Sequence, residues 1–492
     1  MNTKHFIFIA ISFFFVSFTT LTTDKPKTSP QTDDCISCHE SITPGIVSDW
    51  RTSLHSINSF AMATLKPELE KRVSSTDVPK NLKEVVVGCY ECHSLNAEKH
   101  KDNFEHFGYK INIVVSPNDC NTCHKTEVTE YQKSKKAHAL DILRKNPVYS
   151  ALVNTTLGVK EFADNKIIPK DASHFTQNET CYGCHGTEIK VTGKIKVSTD
   201  LGDIEVPKLS DWPNQGVGRI NPDGSYGSCT ACHPRHSFSI EIARQPQTCE
   251  QCHLEPDVPA YNIYEESKHG NIFETMREKW NWEEVPWKLG IDFKTPTCAA
   301  CHNSLLVDGQ GEIISKRSHD FGSRLWVRVF GLIYSHPQPK NGKTYEIKNQ
   351  DELPLPTTFN NIKADKYLIS KDEQNLRKSN MMKLCSSCHG TNWVTSYFEK
   401  MDNTLMETDK MVETATNLIS YAWNKKLADK TNPFDESLEQ MWVQQWLFYA
   451  NSVRYASAMS GPDYAAFKNG WWYLTKNISD MHQLIKQLEK EK

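Results

Sequence analysis

Residues 229–253 read CTACHPRHSFSIEIARQPQTCEQCH. Two copies of Cys-x-x-Cys-His stand in that short stretch, and the same signature recurs in both directions from it. Upstream lie CISCH (Cys35, Cys38, His39), CYECH (Cys89, Cys92, His93), CNTCH (Cys120, Cys123, His124) and CYGCH (Cys181, Cys184, His185). The quoted stretch supplies Cys229, Cys232, His233 and Cys249, Cys252, His253. Downstream are CAACH (Cys298, Cys301, His302) and CSSCH (Cys385, Cys388, His389). These eight motifs use all 16 cysteines of the 492-residue chain.

Two thiols at this spacing add across the vinyl groups of one haem, and the adjacent histidine gives its iron an axial nitrogen. Zinc knuckles would pair Cys-x-x-Cys units without a histidine after each, and a disulfide framework has no use for that histidine. The pattern therefore predicts eight covalently attached haem c groups. With about 44 residues of chain per motif between Cys35 and His389, there is too little polypeptide to build an ordinary core around each. The expected fold is mainly α, short helices and loops stapled around porphyrins that serve as the core.

Residues 1–23 read as a signal peptide or N-terminal anchor: a short basic start, then the apolar run Phe6–Phe18, too short to span a bilayer comfortably. This predicts the periplasm or another extracytoplasmic compartment, where haem is attached. The formal charge of −3 argues against nucleic acid as a partner. Residues 24–395 form the predicted octahaem domain and residues 396–492 a C-terminal helical region. In the latter, Trp442, Trp446, Tyr449 and Val453 make one apolar stripe; Leu474, Ile478, Met481, Ile485 and Leu488 make another. Breaks at Asn432-Pro433 and Gly461-Pro462 divide it into three long helices, packed on the haem domain or against copies of the chain.

A local unit recurs: Trp50-x-x-Ser53-x-His55, Tyr131-x-x-Ser134 leading to His138, and Tyr264-x-x-Ser267-x-His269. Each lies shortly after a motif histidine and reads as a helix bringing a second axial ligand to a haem. Of the 19 histidines, eight sit in motifs and His5 in the leader. The distal ligands are expected among His55, His106, His138, His174, His236, His269, His319 and His336, with His100 in reserve for His106 and His482 on the surface. An iron with histidine on both faces only passes electrons, so catalysis requires one with a free side.

The run Gly218–Gly270, with the segments RSHDF (317–321) and YSHPQPK (334–340), resembles the hydroxylamine oxidoreductase family of octahaem cytochromes. The resemblance covers nearly the whole chain. It implies a homotrimer, a small inorganic nitrogen substrate, and a redox partner such as a small or quinone-linked cytochrome. Related multihaem reductases use Cys-x-x-Cys-Lys at the active haem, and this chain has no such motif. In the family the fourth haem is catalytic, which the resemblance places at Cys229, Cys232 and His233, with an open coordination site. Its free side is lined by an Asp-His pair and a tyrosine, here Asp257-Val258 and Tyr334, so the histidine is lost. In the oxidising branch a C-terminal tyrosine is bonded to that haem; Tyr455 and Tyr464 are the candidates. Hydroxylamine oxidation releases protons that an imidazole suits, so Val258 tilts the expectation towards reduction to ammonium. Hydroxylamine oxidation and a non-catalytic electron conduit are the alternatives.

Overall fold

The signatures fold as short helical turns. Cys89–His93, Cys181–His185 and Cys298–His302 are five-residue helices. Cys35 and His39 lie within the helix Pro30–Ile42, and Cys385 near the end of Lys371–Ser386. Positions i, i+3 and i+4 share one face of a helix, so each motif presents both thiols and its imidazole to the same side. All sixteen cysteines are free of disulfides. The computed structural model describes residues 26–199, 202–330, 332–461 and 464–492, and of Tyr464 only the backbone. The apolar leader, and Tyr464 as a cross-link candidate, lie outside what is described.

The chain is mainly helical overall; between the motifs short helices alternate with loops and a few strands. Hairpins form at Asn103–His106/Tyr109–Asn112, Val159–Ala163/Lys166–Lys170, Lys190–Thr199/Gly202–Ser210 and Val327–Arg328/His336–Pro337. A three-stranded patch joins Trp287–Lys288, Leu306–Val307 and Ile313–Ser315. Apolar packing in the motif-bearing region is confined to small clusters. One gathers Phe273, Trp280, Trp282, Trp287 and Phe293, and another gathers Phe60, Val78 and Leu82.

The largest apolar core lies in the tail. The helix Thr391–Asn424 starts two residues after His389 and runs for 34 residues. The segment Ser437–Met459, helical throughout with a wider π turn at Gln444–Tyr449, and the helix Trp472–Glu491 pack on it. Trp442, Trp446 and Val453 of the first stripe are fully buried there, as are Leu474 and Met481 of the second. The loop after the first helix carries Asn432-Pro433, and the second segment's helix ends at Met459, just before Gly461. Tail and motif region interlock: Ile333, Tyr334 and Leu355 enter the same core. Among the described residues no helix is long and apolar enough to cross a membrane.

Candidate functional site

Histidines far apart in sequence are brought face to face. Ring centres of His39 and His106 are 6.1 Å apart, those of His55 and His124 6.2 Å, and those of His269 and His389 6.1 Å. Metal–imidazole bonds are about 2 Å long, so two rings sharing one metal stand roughly 6 Å apart, centre to centre. The three pairs fit one iron between them. His236 neighbours His93, and His319 neighbours His233; burial first, then the facing imidazole, lowers the proton affinity of each distal ring, His319 to about 4. Neutral imidazoles are the form that binds iron.

Hydrogen bonds aim the motif histidines. His93 Nδ1 lies 2.7 Å from the Asn112 carbonyl, His185 Nδ1 3.2 Å from the Ala139 carbonyl, and His39 Nδ1 2.9 Å from Thr43 Oγ1. Each contact leaves Nε2 for a metal, an outer-shell arrangement that fixes tautomer and orientation. Gly218 seats the fourth motif: a Cβ there would fall 2.6 Å from the His185 carbonyl and 2.7 Å from the Ala139 amide.

Sulfurs of different motifs also lie near one another, and they trace an order. Cys35 neighbours Cys89, Cys92 neighbours Cys123, and Cys120 hydrogen-bonds Cys229. Cys232 neighbours Cys249, Cys249 hydrogen-bonds Cys298, and Cys301 neighbours Cys385. The motifs thus run first, second, third, fifth, sixth, seventh, eighth. The fourth joins from the side through the sixth: Cys184 hydrogen-bonds Cys252 and also lies 3.5 Å from the Gln251 carbonyl.

Several expected ligands lie elsewhere. His174 stands at the start of the helix His174–Glu179, its side chain 74% exposed and 3.4 Å from Asp211, with no motif histidine beside it among the contacts described. His100 is walled in by carboxylates, with Nδ1 3.3 Å from Asp102 and Nε2 3.2 Å from Asp119, so His106 needs no reserve. His138 is buried, but its Nε2 is 2.9 Å from the Gln132 carbonyl and its ring packs on Tyr226. In its place Lys136 reaches a motif histidine, with Nζ 3.4 Å from His253 Nε2. His336 is buried with Nδ1 2.7 Å from the Pro337 carbonyl and Nε2 unpartnered.

The residues expected around one open haem do not gather at Cys229, Cys232 and His233. Cys229–His233 is the fifth signature, and His233 has His319 beside it. Asp257 lies instead at the fourth, where its charge acts on Cys181, Cys184 and His185. It follows the sixth motif by only a few residues, and that motif itself lies against the fourth, with Cys184 Sγ 3.5 Å from the Gln251 carbonyl. Burial pushes the Asp257 carboxyl up. Asn451 of the tail donates to the Asp257 carbonyl at 3.4 Å, and one turn on Tyr455 neighbours both Asp257 and Arg328. Arg328 also acts on His185. Tyr334 is absent from this group: its ring lies in the tail core and its hydroxyl donates to the Phe359 carbonyl at 2.7 Å.

A family described as seven times multi-haem cytochrome CxxCH matches residues 223–321 and 352–432, and the cytochrome c554 and c-prime family matches residues 34–110 and 119–203. A solved structure titled hypothetical multiheme protein is 43% identical, covering 95% of this chain and 97% of that one, with a TM-score of 0.88. The chain belongs to the multihaem cytochromes c. Its Cys-x-x-Cys-His motifs accordingly carry covalently bound haem c. The reducing HAO-like protein complex of Kuenenia stuttgartiensis shares the fold at a TM-score of 0.62, with 19% identity over 94% of this chain and 85% of that one. A Kuenenia stuttgartiensis protein named probable nitrite reductase-hydroxylamine oxidoreductase fusion protein is 24% identical over 79% of this chain. This multihaem cytochrome spans 37% of that relative's length.

Proposed function

We propose that the chain is an octahaem oxidoreductase acting on small inorganic nitrogen compounds, with its one open iron at Cys181, Cys184 and His185. The observation that carries this reading is the set of side chains gathered at that motif. Asp257, Tyr455 and Arg328 converge on it from the loop after the sixth motif, the tail and a strand end. An acid, a phenol and a guanidinium around one metal suit a small anion that must be held and protonated. The bound haem supplies a metal that binds nitrogen and exchanges electrons. Around it, Arg328 attracts the negative charge of nitrite, Asp257 passes protons to the substrate's oxygen or nitrogen, and Tyr455 orients the substrate by its hydroxyl. The side position of this motif keeps it at the end of a branch. Electrons from the other haems can then reach one substrate repeatedly before it leaves.

The direction we favour is reduction of nitrite or hydroxylamine to ammonium. Valine at 258 exchanges no proton, which leaves Asp257 to serve proton delivery. The names of the distant relatives support the substrate class. We further propose export to the periplasm, from the apolar leader, a homotrimer contacting through the tail, and a small or quinone-linked cytochrome as redox partner. Titration of the ferric protein with cyanide, nitrite and hydroxylamine tests the central point: one haem should respond, and replacing Asp257 or Arg328 should alter that response. A spectrum indifferent to all three ligands would leave only an electron conduit.

A further inference from the structure

The recurring aromatic-x-x-Ser unit has the same backbone in all three copies. The serine amide donates to the aromatic residue's carbonyl at 2.9 Å (Ser53 to Trp50), 2.9 Å (Ser134 to Tyr131) and 3.0 Å (Ser267 to Tyr264). The serine hydroxyl donates to the same carbonyl at 2.6, 2.7 and 2.6 Å. The serines share one extended conformation, with φ/ψ of −75/154°, −76/155° and −74/163°. The aromatic ring is buried each time. Such a turn ends a helix and sends the next two side chains in fixed directions. Two residues beyond the serine stand His55, Lys136 and His269. His55 faces His124 and His269 faces His389. The third member of the series is the lysine, and it faces His253 with Nζ 3.4 Å from Nε2. Its neighbour Lys135 turns the other way, donating to Gln338 Oε1 at 2.7 Å.

We propose that Lys136 is the sixth ligand of the haem attached at Cys249 and Cys252, opposite His253. On coordination the ammonium gives its proton to solvent and its lone pair to iron; no electron is exchanged. The position gives the ligand a consequence. The sixth motif is the one through which the fourth touches the rest, by Cys184 to Cys252. A histidine–lysine iron therefore sits at the junction between the fourth motif and the line of the other motifs. An amine is a stronger σ donor than an imidazole and accepts no electron density back. It favours the ferric state and sets the junction's potential apart from its neighbours'.

The test uses the ferric holoprotein, with near-infrared magnetic circular dichroism and low-temperature electron paramagnetic resonance. The native protein should show one low-spin haem with imidazole–amine character beside the bis-imidazole set. Lys136→Ala should convert one low-spin haem per chain to high spin and bind one more equivalent of cyanide than the native protein. Lys136→His should restore low spin with a purely bis-imidazole spectrum. His138→Ala should leave the spin states unchanged. New high-spin haem in His138→Ala, or an unchanged spectrum in Lys136→Ala, would overturn the assignment. Should Lys136→Ala not assemble, the native spectrum decides by itself, and lack of an imidazole–amine signal overturns it. Because cyanide uptake is counted as a difference from the native protein, the result is independent of whether the iron at His185 is open.

Discussion

His269 and His389 face each other with ring centres 6.1 Å apart and planes inclined by 49°. One ring follows the sixth motif, the other belongs to the eighth, and a shared iron would hold these two half-buried imidazoles together. On this geometry His269→Ala should turn one low-spin haem high-spin, visible in the ferric absorption spectrum. His269→Met should keep it low-spin and raise its reduction potential. His174→Ala, at a ring in water, should change neither.

Asp257→Asn should lower the rate of nitrite reduction by about 10²-fold or more, the usual size of a lost proton donor, with cyanide binding retained. Tyr455→Phe should cost a similar factor if the hydroxyl orients substrate. Mass spectrometry of haem peptides adds a separate check: a peptide holding Tyr455 bonded to haem, with hydroxylamine oxidation faster than nitrite reduction, would reverse the proposed direction.

Arg328→Gln should separate charged from neutral substrates. Losing one charge-assisted hydrogen bond should raise KM for nitrite about tenfold, with little change for hydroxylamine, which is uncharged at pH 7. Equal losses for both would show that Arg328 serves the fold instead.

His100 predicts an alkaline instability. Burial pushes its imidazole down, but hydrogen bonds to Asp102 and Asp119 outweigh that and raise it to about 10. A base whose folded value is raised stabilises fully below its unfolded value near 6.5, and that contribution is lost as the pH climbs towards 10. The contribution at neutral pH should be on the order of 2–4 kcal/mol. The thermal midpoint should therefore fall between pH 7 and 10, and His100→Gln should start lower by a few degrees and show a flatter slope. Parallel slopes in both proteins would refute the role.

The signatures made the cofactor legible, because covalent haem attachment needs a fixed spacing that local sequence displays. The tail was legible for a related reason: Trp442, Trp446 and Val453 recur with the period of a helix and are all buried. What sequence could not show is which distant segments meet. Asp257 follows the sixth motif yet lies beside the fourth, because Cys184 packs against the sixth motif at the Gln251 carbonyl. Tyr334 is buried and Tyr455 half-buried, both aromatics near motifs or stripes, and only packing separates a core residue from one beside the fourth motif. Lys136 was on view in the sequence. Its place two residues after Ser134 matches His55 and His269, but the nearby His138 offered a more familiar ligand. His174 looked equivalent to the rest because composition carries no record of exposure.

The pocket proposed at His185 draws its haem attachment from one stretch of chain and a wall from another. Asn451 and Tyr455 belong to the tail, which holds none of the thiols. Wiring and chemistry are therefore separable inheritances. A lineage that lost the tail could keep every haem link and become a plain electron carrier. One that altered only the face of the helix Ala450–Met459 could change its substrate without touching the wire.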